Sequence, residues 1–271
     1  MADEAAATAL YERNSEGFVA HRCTGSTWDP MAQSGGAVLA LLGHVLEDVP
    51  TLVSMSLSRL TVDIVRPVPV GEHLRVDTEI LREGKKIQLV DLTIRAGDTV
   101  ATRARALRIR DLDVTGVPGV PESTSTVNPA ASLPPPESLA AVDLHPGVAE
   151  FLRTGAEMRR TVEPIDGVHA VWCRLRVPVV AGEPVRTTSR AVLPLDIGNL
   201  IGVSSFDPTK VTSINPDVSG HLSRAPVGEW VALTGHTHFA DEVGHGMSMA
   251  VMSDTVGVFG VTSTSQVVDP R

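Results

Sequence analysis

Cysteine is nearly absent from this 271-residue chain: Cys23 and Cys173 are the only two, and neither belongs to a CxxC pair. A disulfide framework and a thiolate zinc site are thereby excluded, and a reducing compartment with two inert core thiols is expected; a catalytic cysteine stays open as the minor reading. Basic charge is also short, with 23 Lys and Arg against 32 Asp and Glu and a net charge of −9. Nucleic-acid binding, which draws its affinity from phosphate neutralisation by Lys and Arg, is not expected; a local basic patch for a smaller anion remains open. No window approaches 18 uninterrupted apolar residues, and Met1-Ala2-Asp3-Glu4 lacks the basic and apolar regions of a signal peptide. No membrane partner is expected, and the cytoplasm is the expected location. GxGxxG, GxxxxGK[ST] and GxSxG are all missing, so nothing supports a dinucleotide, ATP or serine-hydrolase role.

What the chain does contain is a duplication. Pro-Val-Gly-Glu occurs at Pro69–Glu72 and again at Pro226–Glu229, 157 residues later, each time after a strand-like run ending in arginine, Arg66 or Arg224. Thr51-Leu52-Val53-Ser54 and Thr209-Lys210-Val211-Thr212 precede the two copies, and Asp98-Thr99-Val100 returns as Asp254-Thr255-Val256. Three markers whose spacing drifts by single residues indicate two copies of one unit.

Apolar alternation and β-branched enrichment predict strands at Leu52–Arg66, His73–Leu81, Ile87–Ala96 and Thr99–Arg110 in the first unit. Gly35–Glu47 is apolar nearly all round, the mark of a helix buried on most of its surface. In the second unit strands are expected at Glu157–Val162, His169–Val177, Val211–Arg224, Trp230–Phe239, His245–Ser253 and Phe259–Val268, with a short apolar helix at Asp196–Ser205. Between the units the chain is rich in Pro, Ser, Thr and Ala, which reads as a semi-extended and partly mobile linker. The expected organisation is a unit over 1–112, a linker over 113–147 and a unit over 148–271, each a sheet wrapped on a helix: an α+β double hotdog.

In this setting the chain resembles the acyl-CoA thioesterase II-like family. Trp28 with Gln33-Ser34-Gly35-Gly36, Arg66-Pro67-Val68-Pro69-Val70-Gly71 and Arg82-Glu83-Gly84-Lys85 are similar to its first-half signature. Ser213-Ile214-Asn215-Pro216-Asp217, Arg224–Trp230 and Asp254-Thr255-Val256-Gly257 are similar to its C-terminal one. The resemblance implies a metal-free and cofactor-free hydrolase acting on acyl-CoA, with Asp196 as the catalytic aspartate that orients or deprotonates a water, Ser213 in the place of the family's hydroxyl, and a glutamine on the last strand. Read from the residues alone, Asp196 is equally an N-cap at the start of the second helix, and Ser213 is a routine strand residue.

The only glutamine near the last position, Gln266, stands one or two residues beyond where Gly257 places the site, at Thr264 or Ser265. A one-residue slip turns a strand side chain to the opposite face, so Gln266 is expected to point away unless a bulge intervenes. Asn215 shares a strand face with Ser213 and is expected, with Asn199, Gln33, Ser34, Gly35 and Gly36, to line the substrate site; bare N–H groups at the Gly35-Gly36 helix start suit a carbonyl oxygen or a phosphate. For the two glycines, close helix packing is an equally good reading. No carboxylate of the first unit matches Asp196, so the chemistry is expected in the second unit.

His221, His236, His238 and His245 cluster without a zinc spacing. Arg82, Lys85, Lys86, Arg103 and Arg105 are candidate contacts for coenzyme A phosphates, with solvated charge as the plainer reading. Aromatics are only 3% of the chain, so an acyl tunnel would be lined by aliphatic side chains. Three functions stay in contention: a water-dependent thioesterase, a non-catalytic acyl-CoA-binding or assembly module, and a hydratase, which would need a histidine after Asp196 where Ile197–Gly202 has none. A homodimer or higher homo-oligomer is expected from the resemblance.

Overall fold

The computed structural model describes residues 8–120, 130, 133–142, 149–160, 169–198 and 210–271. Two helices, α1 (Gly35–Asp48) and α2 (Thr187–Ile197), are enclosed by strands β1 (Tyr11–Asn14), β2 (Gly17–Ala20), β3 (Met55–Ile64), β4 (His73–Arg82), β5 (Ile87–Ala96) and β6 (Thr99–Arg110) of the first unit. The second unit contributes β7 (Ala156–Arg160), β8 (His169–Leu175), β9 (Val211–Ile214), β10 (Asp217–Leu222), β11 (Val231–Ala240), β12 (His245–Ser253) and β13 (Val258–Pro270). The strands form one antiparallel sheet in the order β1-β2-β4-β5-β6-β3-β10-β13-β12-β11-β8-β7, with β9 pairing on β13. This is the α+β double hotdog expected from the sequence.

The duplication explains how the units join. Strands β3 and β10 pair antiparallel with Thr61 opposite Ser219, positions separated by nearly the repeat offset, so equivalent strands meet about a local twofold. The β1 edge meets the segment that follows β8: Leu10 and Tyr11 N–H donate to the Pro178 and Val179 carbonyls at 3.0 and 2.9 Å, and Ala181 N–H returns a bond to the Tyr11 carbonyl at 2.9 Å. The sheet thus wraps the helix pair.

Helix α1 follows from its composition. Residues 36–46 are all buried, and each fully buried Leu or Val contributes on the order of 1.5–3 kcal/mol. It ends because Val49 precedes Pro50 and is held extended, at φ −73° and ψ 118°. Arg108 of β6, buried beneath that end, donates to the Val49 carbonyl at 2.8 Å, to Gln88 Oε1 at 3.1 Å and to the Leu46 carbonyl. A cation there satisfies the last carbonyls and opposes their dipole.

Several expectations change. The second helix runs Thr187–Ile197 rather than beginning at Asp196, and residues 199–209, including Asn199, lie outside the described residues. The long strand expected over Val211–Arg224 is broken into β9 and β10 around Pro216, where proline removes a ladder donor. The first long strand is shorter than expected, Met55–Ile64, and β1 and β2 add a hairpin that periodicity missed. Part of the described linker is packed, while residues 113–120 are exposed: Trp172 Nε1 donates to the Pro134 carbonyl at 3.1 Å, and Leu133 and Leu139 lie against the buried cluster that holds Trp172.

Candidate active site

Helices α1 and α2 run antiparallel. Ser189 Oγ donates to the Ala40 carbonyl at 2.9 Å. At one end of the pair the Thr188 N–H donates to Glu47 Oε1 at 2.6 Å. At the other end Asp196, in the last described turn of α2, sits against the start of α1. The first N–H groups of a helix have no intrahelical acceptor, and the Ser34 hydroxyl makes no capping bond; the Gly36 N–H goes to Asp196 instead. Asp196 is therefore not the cap of its own helix, as sequence suggested. It meets the N-terminus of the other unit's helix.

Asp196 is 7% exposed, and Asn215, just past β9, donates Nδ2–H to its Oδ1 at 2.7 Å. Burial raises the Asp196 pKa above the ordinary aspartate value, while the Asn215 amide and the Gly36 N–H pull the other way. Gly35 is required by contact: a Cβ there would come within 2.3 Å of Asp196 Oδ1, and one on Gly36 within 2.7 Å of Phe151 Cε1. Gly35→Ala is expected to destabilise by about 1–3 kcal/mol through overpacking and to displace the carboxyl; denaturant unfolding beside an activity assay would show both, and a variant matching wild type in both would remove this role.

A cavity of about 240 Å³ opens beside Asp196, walled by Gln33, Ser34, Gly35, Val38, Leu152, Asp196 and Asn215 and rimmed by Trp28, Asp29, Arg66 and Ile214. Gln33 is committed to structure: its Oε1 accepts from the Tyr11 hydroxyl at 2.6 Å, and its Nε2 donates to the Pro69 carbonyl at 2.7 Å. That pair ties the loop before α1 to the first Pro-Val-Gly-Glu hairpin. Nothing in the spacing pointed to Tyr11, although it is the chain's single tyrosine.

Ser213 and Gln266 do not border this cavity. Both nevertheless face inward. In β13, Met252 pairs with Gly260 and Ser253 with Val258, so Phe259 is an extra residue and the alternation shifts by one. That bulge lies between Gly257 and Gln266, and it turns Thr262, Thr264 and Gln266 inward while Ser265 faces out. The expectation that Gln266 points away is thereby corrected. Gln266, 2% exposed, leans toward β12, where its Nε2 donates to Ser248 Oγ at 2.8 Å and Ser248 pairs with Thr237 Oγ1 at 2.6 Å. Among the described residues, Ser213 Oγ, Thr264 Oγ1 and Gln266 Oε1 are buried without a partner. Ser213, opposite Val268 on β13, shares the inner face with Thr264 and Gln266.

The basic residues singled out as phosphate contacts lie elsewhere. None of Arg82, Lys85, Lys86, Arg103 and Arg105 lines the cavity, and Arg105 is held by Asp91 at 2.6 and 2.8 Å.

Residues 24–109 match the sequence profile of the acyl-CoA thioesterase N-terminal domain, so the resemblance read in the first unit is upheld. No curated protein sequence matches the chain. Among solved structures the chain is similar to a protein of unknown function with a hotdog fold from Alicyclobacillus acidocaldarius, at TM-score 0.70 and 12% identity over 97% of this chain and 96% of that one. It is similar to the tesB protein of Mycobacterium avium subspecies paratuberculosis at TM-score 0.66 and 17% identity over 97% of both chains. An acyl-CoA thioesterase II of Mycobacterium marinum matches at TM-score 0.64 and 14% identity, over 88% of this chain and 90% of that one. At these identities the shared property is the fold.

Proposed function

We propose that the chain is an acyl-CoA thioesterase that hydrolyses its substrate with an activated water. The observation that carries this reading is Asp196: a desolvated carboxyl, oriented by Asn215, at the N-terminus of a buried helix and in the wall of a cavity. Burial favours its taking a proton, and a helix N-terminus favours the negative charge that develops on a thioester carbonyl oxygen. In the step proposed, the water oxygen bonds to the carbonyl carbon as Asp196 takes its proton. The tetrahedral species then expels the thiolate, the C–S bond breaks, and the proton passes to sulfur, giving free acid and coenzyme A. Ser213 and Gln266 face inward with unpartnered oxygens but do not border the cavity, so the step proposed rests on Asp196 alone. Asn215 is a positioning residue.

A second reading, a non-catalytic acyl-CoA-binding module, is favoured by one observation: the Gln266 amide is turned to Ser248 and away from the cavity wall. Release of free thiol from acyl-CoAs of graded chain length separates the two. Turnover supports the hydrolase, and binding without turnover supports the module.

Among the described residues no helix is long and apolar enough to cross a membrane. A cytoplasmic homo-oligomer remains the expectation; Met247, Met249, Val261 and Val267 are exposed on the outer face of β12 and β13, where a second copy would dock. Sedimentation of wild type and Met249→Lys is expected to show an oligomer that the charge weakens; a monomeric wild type would remove it.

A further inference from the structure

The two repeated arginines have different fates. Arg224 is spent: it pairs with both Asp254 oxygens at 2.6 and 2.8 Å and donates to the Gly257 carbonyl at 3.0 Å. Arg66, its counterpart in the first unit, is exposed at the cavity rim. Among the described residues its side chain has no hydrogen bond or ion pair, and Asp98, the counterpart of Asp254, makes no ion pair with it. Beside it on the rim is Trp28, one of only three tryptophans, with the Arg271 guanidinium 6.0 Å from its ring centroid. The one carboxylate on this rim, Asp29, accepts from the Met31 N–H at 2.8 Å. In a chain of net charge −9, an unpaired guanidinium and an indole on one cavity rim, with a second guanidinium against that indole, form a local exception.

The cavity volume gives that exception a use. About 240 Å³ is below the roughly 300–1,000 Å³ of pockets that enclose a whole drug-sized ligand, so a larger substrate must leave part of itself at the mouth. The geometry points to a rim formed by Arg66, with Trp28 and Arg271 beside it, that binds the phosphate-bearing part of the substrate outside the cavity. Guanidinium matches phosphate oxygens in planar, charge-assisted bonds, and an indole offers a face for a base or a second cation. This rests on the thioesterase reading for the substrate. It makes Arg66, rather than the Arg82–Lys86 hairpin, the residue that distinguishes a phosphorylated carrier from a bare thioester.

The test compares wild type with Arg66→Ala on an acyl-CoA and on the same acyl group carried by N-acetylcysteamine, which has neither phosphate nor base. For acyl-CoA, kcat/KM is expected to fall about tenfold through KM, the scale of one lost charged hydrogen bond, while for the short thioester it falls less than about twofold. The wild-type KM for acyl-CoA should rise with salt more steeply than that of the variant, because an exposed charge contact is screened. Equal losses on both substrates, or no loss on acyl-CoA, would overturn the rim. If wild type hydrolyses neither substrate, the hydrolase reading falls, and calorimetry with coenzyme A decides the rim alone. Binding about tenfold weaker in Arg66→Ala upholds it; equal binding, or none to wild type, overturns it.

Discussion

Asp196→Asn is expected to lower thioester turnover by about 10³-fold, within the range that general-base catalysis supplies, and to leave the fold intact. Asparagine keeps the size but has one acceptor oxygen where the carboxylate has two, so it serves either the Gly36 N–H or Asn215 Nδ2, which now donates to Oδ1 at 2.7 Å. The base is lost, and the donor left without an acceptor costs about 1–3 kcal/mol. Rates of free-thiol release, read beside thermal unfolding, separate lost chemistry from lost structure. Turnover within a few-fold of wild type would remove Asp196 from the mechanism. The pH profile offers an independent reading. Because burial raises the Asp196 pKa, kcat/KM should rise with pH through an apparent value above that of an ordinary aspartate, as the carboxyl loses its proton and becomes a base.

The largest stability effect is expected at Asp254→Ala. Asp254 is 0% exposed and gathers the second repeat: besides the Arg224 fork at 2.6 and 2.8 Å, it accepts from the N–H groups of Val227, Val256 and Gly257 at 2.7, 2.8 and 3.1 Å. Removing it leaves a half-buried guanidinium and three N–H groups without their acceptor. The cost of breaking such a pair is about 3–5 kcal/mol, which corresponds to a midpoint lower by roughly 10 °C in a chain of this size. Burial pushes this carboxyl up, but the arginine and the three N–H groups outweigh it and hold its pKa down at about 2. A depressed folded-state value means stability that is present above about pH 4, the ordinary carboxyl range, and is lost as pH falls through about 2. Denaturant melts at pH 7 and pH 3 test both statements: wild type should lose stability on acidification, and the variant should lose less. A cost below about 1 kcal/mol at pH 7 would show that the hairpin holds without it.

How the two units are built was legible because periodicity is a local property. The alternation of Ile87–Ala96 gave β5 its bounds, and the all-round apolarity of Gly35–Glu47 gave α1, since a helix buried on every side leaves no polar face in its sequence. Where prediction missed, the deciding contact was remote. The stretch Thr187–Ile197 opens with Thr-Thr-Ser-Arg and contains Pro194, a poor helix by propensity; it is helical because it packs along α1. The β1–β2 hairpin is four residues a side and is held by neighbours far along the chain.

The same division runs through the candidate site. Duplication and the Gly35-Gly36 start of a buried helix were readable from residue order, while Asp196 was singled out over a plain N-cap only by the family resemblance. That the carboxyl of one unit meets the helix N-terminus of the other was not, because it depends on the antiparallel crossing of two helices some 150 residues apart in sequence. The face on which Gln266 lies was undecidable for a similar reason: one extra residue at Phe259 reverses parity, and only the pairing with β12 shows where it is inserted. Sequence fixes which groups are available and their local alternation; contacts between distant segments decide which of them meet.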